Sequence, residues 1–531
     1  MGNSTDIRPT LLSDAYVGYV PGVGGGGDDV PTLNTWLTSH SGIANLPAGT
    51  IHIETNLNIP AGTGLKGSPL GTTLAFSGSG GITINGDDTA ITDLIFTDSG
   101  SSSGNLIFNV GHNRFHLERI KYLPSGSGNR LCATGWGGVG SVVRDIYASG
   151  TTSAPDVFDL YQYTESIVDG VIVDGLSQTV AGNNLTIINS NNMVRCSISS
   201  CGIKNCATGS SSGGGAIGLA NGSEISVTNC VIQGNTGMDG IGANPCSDLT
   251  ISNCVITDNA VNASNSNGDA LDLFGGNRIT VTGCDLSRNG QYGVEIFYNA
   301  AVVTDVEVVG NTIESNGLSG VTIIGGQRII VANNSIGLNN HNGIVTQAGG
   351  GSDSKHITIL GNRIFNNDQN ATGDATPGGI YLSGNTNAVL IEGNDIYDDQ
   401  GVVTQTNGLQ IQNTANDVLV ANNRFSVSTV TAPVSTAPIP IFRGNVGYNP
   451  IGVVSPAVPA SGTAVAAAQY DRTFYVSTVA GTTACSMAIQ NGPTITFVAS
   501  VAQVVAVKVP AGKTVTPTYT GTAPTWVVEG E

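Results

Sequence analysis

The sequence predicts an all-β fold, a right-handed parallel β-helix followed by a small C-terminal antiparallel β-domain. Two observations carry this prediction. Short segments of one pattern recur at intervals of 23 to 32 residues, as in a solenoid whose loops vary in length. Within each segment, β-branched residues alternate with polar residues, which is the period-2 pattern of a half-buried strand. The spacing typical of helical repeats is missing.

The fourth position of each repeated segment holds a small polar residue. A column of such residues predicts an interior ladder, in which side chains hydrogen-bond to backbone groups of the next coil about 4.8 Å away. Cysteine is small and often buried, so it suits the same position in the earlier coils. Cys196 is expected to begin this column. The other members are Cys230, Cys254, Cys284, Asn311, Asn334, Asn362, Asn394 and Asn423.

The composition excludes several classes of function. The 531 residues include 74 glycines, and the formal net charge is −19 with only 11% charged residues. An acidic surface repels phosphate, so we expect no nucleic acid partner. No apolar run is long enough to span a membrane, and the first residues do not resemble a signal peptide. We therefore expect no membrane association and an extracellular or virion-associated protein. Nine cysteines, an odd number, do not suggest a disulfide framework or a metal site.

Composition also divides the chain. We expect an N-terminal arm over 1–23, a capping helix with the first coils over 24–100, and the β-helix that carries the functional site over 101–448. Prolines and small residues mark 449–468 as a linker. Apolar strands separated by Gly and Pro turns then predict the antiparallel domain over 469–531. Its role would be carbohydrate binding, trimer formation or protection of the last coil.

A second set of strands carries the candidate catalytic residues. The third position of each of these strands points outward and mostly holds a small or neutral residue, but two neighbouring coils hold Asp272 and Glu295. Coils stack about 4.8 Å apart, so the two carboxylates should repel and one pKa should rise. Asp269 and Asp239 stand at the entrances of strands on adjacent coils. The four carboxylates supply the acid and the base that glycosidic hydrolysis requires.

The opening of the chain resembles a known family. GGGGDDVPTLNTWL (24–37), followed by NLPAGTIHI (45–53) and LNIPAGTGLKG (57–67), resembles the start of pectin-lyase-fold proteins. The resemblance covers about residues 24–445 at the level of the fold. Lyases, hydrolases, epimerases and bacteriophage tailspikes share that fold, so it implies the architecture and not one activity.

The DALD element resembles the Asp-x-x-Asp motif of β-helical tailspike endoglycosidases, in which a Glu of a neighbouring coil completes the set. Asp269 and Asp272 match the motif, whereas Glu295 lies on the following coil instead of the preceding one. The resemblance implies an endo-acting glycoside hydrolase that degrades a polysaccharide. Together with the cluster of four carboxylates, it leads us to expect Asp272, Glu295, Asp269 and Asp239 as catalytic residues and no cofactor. It also implies a homotrimer.

Six further residues are candidates for binding substrate. Two of them belong to PDVFDLYQY (155–163), which repeats the Asp-x-x-Asp spacing. This segment would lie about four coils, near 19 Å, from Asp269 and Asp272 and would form a distal subsite. One follows the strand of Glu295 and would stack on a sugar ring. Three belong to a column of alternating charge, which would grip a substrate anion or form a salt-bridged exposed flank. These residues are Asp159, Tyr161, Tyr298, Arg278, Arg328 and His356.

Two other functions stay open. In a polysaccharide lyase, Asp239, Asp269 and Asp272 would hold Ca²⁺, and Arg278 or Tyr298 would remove the proton next to a uronate carboxylate. No basic residue shares the outward column with the acids, which favours hydrolysis. In a non-catalytic spike or adhesin, the long sheet would only bind a glycan.

Overall fold

The computed structural model divides into two compact units, Met1–Thr322 and Ile323–Glu531, and each is described by itself. The described residues are 18–19, 27–99, 104–125, 129–178, 185–208, 214–260, 268–298, 301–370, 378–412, 415–426, 429–431, 440–447, 453–454, 457–467, 471–497 and 504–530. Most of the predicted N-terminal arm lies outside them. No helix within these ranges is long and apolar enough to cross a membrane.

In the first unit, one parallel sheet carries the predicted carboxylates, and each of its strands pairs with the strand of the next coil. Six consecutive strands of this sheet are β1 (Asp156–Tyr161), β2 (Thr186–Asn191), β3 (Gly215–Ala220), β4 (Asp239–Asn244), β5 (Leu271–Phe274) and β6 (Val294–Phe297). The strands before them are Asn56–Pro60, Gly81–Asn85, Asn105–Val110 and Arg130–Trp136.

The other faces of the first unit are built from further parallel strands. These strands are Gly18–Tyr19, Gly42–Asn45, Gly49–Ile53, Thr63–Lys66, Thr72–Phe76, Ala90–Asp98, His116–Pro124, Val142–Thr152, Ile167–Asp169, Ile172–Gln178, Ser197–Ser199, Gly202–Lys204, Ser223–Thr228, Val231–Gln233, Ser247–Ser252, Val255–Thr257, Asn277–Thr282, Thr304–Val309 and Thr312–Glu314. The strand Val321–Ile324 contains the division between the units.

Aliphatic columns explain why these residues form strands. Residues of β2 to β6 that point inward lie in register over one another, and all are fully buried. Each such side chain contributes about 1.5–3 kcal/mol when buried. The column consists of Ile188, Ile217, Ile241, Leu271 and Val294.

The capping helix that the sequence predicts near the start of the β-helix is present as Val30–Ser39. Its buried residues include Leu33 and Trp36. Asp29, directly before the helix, holds the chain in place, because its Oδ2 atom accepts a hydrogen bond from the backbone nitrogen of His52 at 2.8 Å.

The bends between strands require a left-handed backbone. Ser200, Asn229, Asn253 and Gly283 have φ between +53° and +66°, a region that Gly and Asn adopt most readily. Each precedes a buried residue of the interior ladder. The recurring Asn-Cys and Gly-Asn pairs of the sequence therefore combine a bend residue with an interior residue.

The interior ladder is confirmed, but one predicted member is wrong. The backbone nitrogen of Val231 donates to the carbonyl oxygen of Cys201 at 2.8 Å, so the coil before Cys230 contributes Cys201. Cys196 lies in another column, where its Sγ accepts a hydrogen bond from the backbone nitrogen of Ser166 at 3.4 Å. The eight cysteines whose side chains are described are all free and buried.

A second ladder runs along the next bend and was not predicted. In it, the side-chain oxygen of each amide accepts hydrogen bonds from the backbone and side-chain nitrogens of the preceding member, at 2.9 to 3.3 Å. In the first unit its members are Cys206, Asn235, Asn259, Asn289 and Asn316.

The second unit continues the same local pattern. Its parallel strands are Gln327–Ala332, Ser335–Gly337, Ile344–Gln347, Ser354–Leu360, Arg363–Phe365, Gly378–Leu382, Thr386–Glu392, Asp395–Tyr397, Asn407–Ile411, Asn416–Ala421, Arg424–Ser426, Thr429–Thr431 and Ile441–Arg443. Its two ladders contain the predicted Asn334, Asn362, Asn394 and Asn423 with Asn445, and the unpredicted Asn339, Asn367 and Gln405.

The chain ends in the predicted small antiparallel β-domain, which has two four-stranded sheets. Phe474 and Trp526 meet in its core, with ring centroids 5.0 Å apart. Two of its strands come from the stretch expected to be a linker. One sheet contains Val453–Val454, Arg472–Ser477, Val504–Val509 and Thr525–Gly530, and the other contains Val465–Ala466, Thr482–Ile489, Thr494–Phe497 and Thr514–Gly521.

We predict that Asn394→Ala destabilises the protein by about 3 kcal/mol, because it leaves buried backbone groups without partners. The Asn394 side chain accepts from Asn362 and donates to the carbonyl oxygen of Ile359 at 2.9 Å. Urea unfolding of the variant measures the change. Asn416→Ala, on the half-buried outer side of its strand, is the control and should cost less than about 1 kcal/mol. Equal losses in the two variants would show that the ladder has no special role.

Candidate active site

The predicted carboxylates meet on the outward side of β4 to β6. The register places Asp272 beside Gly242 of the preceding coil and beside Glu295 of the following coil. This is the adjacency that the sequence predicts. The full column, called the carboxylate column below, consists of Asp159, Asn189, Gly218, Gly242, Asp272 and Glu295.

Three aspartates converge at the entrance of β4 and β5. One carboxylate oxygen from each of Asp239, Asp269 and Asp272 lies within 4.8 Å of the others. Asp239 Oδ1 accepts hydrogen bonds from the backbone nitrogens of Gly268 at 2.8 Å and Asp269 at 3.0 Å. Asp269 Oδ1 accepts one from the backbone nitrogen of Tyr292 at 2.7 Å. Asp239 and Asp269 thus accept hydrogen bonds from the backbone of the next coil. The buried Oδ1 atom of Asp272, by contrast, has no hydrogen-bond partner among the described residues.

Asp272 and Glu295, the two outward acids, have different pKa values because they are buried to different extents. Asp272 is only 7% exposed, and this burial, with the charges of Asp239, Asp269 and Glu295, raises its pKa to about 10. Glu295 is half-buried, and burial followed by the charge of Asp239 raises its pKa to about 7. Burial and the neighbouring carboxylates also raise the pKa of Asp269 well above its usual range. At neutral pH, Asp272 therefore holds a proton while Glu295 is near its midpoint.

The second Asp-x-x-Asp element differs because it has its own cation. Arg130, one coil earlier, contacts Asp156, and its Nη1 atom lies 3.7 Å from Asp159 Oδ2. Burial still raises the pKa of Asp156 to about 6, although Arg130 opposes the shift. Asp159 stands in the carboxylate column four coils before Asp272, as the sequence predicts, and Tyr161 is half-buried on the same strand.

A family model described as a right handed beta helix region matches residues 164–303 and 260–429, and the two matches together span half of the chain. The chain belongs to the right-handed β-helix family. No curated protein sequence matches it significantly.

Several solved structures are similar to this β-helix. The A-module of the mannuronan C-5 epimerase AlgE6 of Azotobacter vinelandii is 15% identical, with 81% of this chain and 99% of that chain covered and a TM-score of 0.37. Tailspike protein 3 of bacteriophage CBA120 is 14% identical, with 84% and 65% covered and a TM-score of 0.42. The catalytic domain of a GH87 α-1,3-glucanase is 13% identical, with 70% and 68% covered and a TM-score of 0.37. At these values the likeness carries no argument about activity.

The predicted substrate-binding residues Arg278, Arg328 and His356 do not belong to the carboxylate column. Arg278 is on the strand Asn277–Thr282, outside the carboxylate column, and donates two hydrogen bonds to Asp248 at 2.6 and 2.7 Å. This exposed pair has the geometry of the salt-bridged flank that the alternating charges suggested, and such pairs contribute about 0–1 kcal/mol. Arg328 and His356 lie in the second unit, at positions with the same positive φ. Their contact with substrate remains a prediction.

An aromatic pair beside the carboxylates was missed in the sequence. Phe274 and Phe297 are in register, with ring centroids 5.4 Å apart and ring planes at 89°. Each lies two residues after Asp272 or Glu295, so strand alternation turns all four side chains to the same outward side. The same alternation could have predicted the outward position of the two phenylalanines from the sequence. Tyr298, the predicted stacking residue, directly follows this pair and is half-buried.

We predict that Asp272→Asn raises the free energy of unfolding at pH 8 by an amount on the order of 2 kcal/mol. Because the native pKa of Asp272 is raised above the unfolded value, the native protein loses stability as pH rises from about 4 toward about 10. Asparagine resembles the protonated acid and removes this loss. Urea unfolding at pH 4, 6 and 8 should show a gap between variant and wild type that widens with pH.

The exposed Glu307 supplies the matched control. Glu307→Gln should change stability by less than about 0.5 kcal/mol at every pH. A pH-independent gap for Asp272→Asn would contradict the raised pKa.

Proposed function

We propose that the protein is an endo-acting glycoside hydrolase that degrades a polysaccharide, with Asp272 as general acid and Glu295 as the base or nucleophile. One observation carries this proposal: two carboxyl groups on adjacent coils are in register, with pKa values of about 10 and about 7. A pair of carboxyl groups whose environments separate their pKa values is the pattern expected for acid and base roles in glycosidic cleavage.

Each residue has a defined part in this reaction. Asp272 keeps its proton at neutral pH and donates it to the glycosidic oxygen as the bond to the leaving sugar breaks. Glu295, ionised above its pKa, activates a water molecule or attacks the anomeric carbon. Asp239 and Asp269 lie close by. The charge of Asp239 helps to keep the proton on Asp272 and favours the positive charge that develops on the sugar ring.

The setting of the reaction follows from the sequence resemblance. An extracellular or virion-associated location fits a protein that acts on a polysaccharide, and the resemblance to tailspike endoglycosidases supports it. The homotrimer expected on the same ground is part of this proposal.

A second candidate, a Ca²⁺-dependent polysaccharide lyase, is favoured by the three aspartate oxygens within 4.8 Å of one another. Asp239, Asp269 and Asp272 offer the hard carboxylate oxygens that Ca²⁺ prefers. When bound, the ion would supply positive charge for a substrate carboxylate. The base would be Arg278 or Tyr298, but Arg278 is held by Asp248, so hydrolysis is the better supported function.

Product analysis on a panel of polysaccharides tests the proposal. We expect new reducing ends without ultraviolet-absorbing unsaturated ends, and a loss of at least about 100-fold in rate for both Asp272→Asn and Glu295→Gln. Glu307→Gln, an exposed acid on another strand, should keep wild-type activity. Unsaturated ends would support the lyase instead. Binding without any product, or full turnover in both site variants, would refute the hydrolase.

A further inference from the structure

The carboxylate column has a gap next to Asp272. Asn189 precedes the gap and Asp272 follows it, while the two coils between them contribute Gly218 and Gly242. This gap of two missing side chains is called the glycine notch below. Since each coil adds about 4.8 Å, the notch is about 10 Å long, enough for one pyranose ring.

The described part of the fold does not require glycine at position 242. Among the described residues, a Cβ atom at Gly242 would meet only the backbone nitrogen of Gly215, at 3.9 Å, and its φ is ordinary. At Gly218 a Cβ atom would lie 3.1 Å from a methyl carbon of Thr186, which is a tight contact. By contrast, a Cβ atom at Gly240, on the inner side of the same strand, would lie 2.5 Å from a carbonyl oxygen. Gly in a strand without such a constraint is typical of a place where a ligand approaches closely.

The surroundings of the notch suit an uncharged sugar. In the next outward column, Ala220 and Asn244 are in register beside it, followed by Phe274 of the next coil. Small and amide side chains admit a ring and bond its hydroxyl groups, and an aromatic ring packs against the apolar face of a sugar. The ionisable side chains beside Asp272 include the carboxyl groups of Asp239, Asp269 and Glu295, and an ionised carboxylate among them would repel a uronate or a sulfate.

We propose that the glycine notch is a subsite that holds an uncharged pyranose unit, adjacent to the bond cleaved at Asp272 and Glu295. The Phe274–Phe297 pair gives the apolar surface beside the reacting unit. This inference rests on the proposed hydrolase function and adds to it the class of substrate, a neutral polysaccharide. Gly242 is thus a specificity-determining residue.

The test uses the full chain carrying Asp272→Asn, so that binding is measured without turnover. Two panels serve as probes: gluco-, manno-, galacto- and rhamno-oligosaccharides of four to eight units, and galacturonate and mannuronate oligosaccharides of the same lengths. We expect binding in the neutral panel only. Adding Gly242→Val should weaken the best neutral affinity at least about tenfold without loss of stability, since valine suits a strand. Gly401→Val, at another open position, should leave it unchanged.

The outcomes separate the two proposals. Equal binding with and without Gly242→Val, equal binding of uronates, or no binding in the neutral panel overturns the notch proposal. Wild-type turnover in both Asp272→Asn and Glu295→Gln overturns the hydrolase proposal, whatever the affinities are.

Discussion

In-register stacking of one coil on the next is the constraint on which this structure depends. Each coil repeats about 4.8 Å along the axis, so every side chain has a defined neighbour above and below. Buried amides use this repeat to bond one another, as Asn394 does with Asn423 at 2.9 Å. A left-handed bend residue such as Asn422 stands directly before each asparagine of the two ladders. The ladder therefore sets the register that all outward columns inherit.

The same constraint creates the chemistry of the outer face. Stacking brings Asp272 next to Glu295 and surrounds it with two further aspartates, which is unfavourable for a folded protein at neutral pH. Elsewhere the structure avoids such repulsion: Arg130 accompanies the other Asp-x-x-Asp element, and Arg278 accompanies Asp248. A buried cluster of acidic groups without a neighbouring cation does not stabilise a fold. Such a cluster is typical of a functional site.

Much of this arrangement could be predicted from the sequence, because a period-2 strand and a constant ladder residue determine which residues share a column. The adjacency of Asp272 and Glu295 could be predicted because these two features align their strands position by position. The placement of Cys196 did not, since it and Cys201 lie five residues apart and occupy different bends. The burial of Asp272 and the contact between Phe274 and Phe297 depend on how neighbouring coils pack, which a one-dimensional pattern does not contain.

Titration of the carboxyl groups by difference infrared spectroscopy tests the central claim most directly, that Asp272 and Glu295 share a desolvated, negatively charged site. Wild type minus Asp272→Asn should show one protonated carboxyl group that persists far above pH 5 and titrates near pH 10, and wild type minus Glu295→Gln should show one near pH 7. If both groups titrate below pH 5, as solvated carboxyl groups do, the account of the active site is wrong.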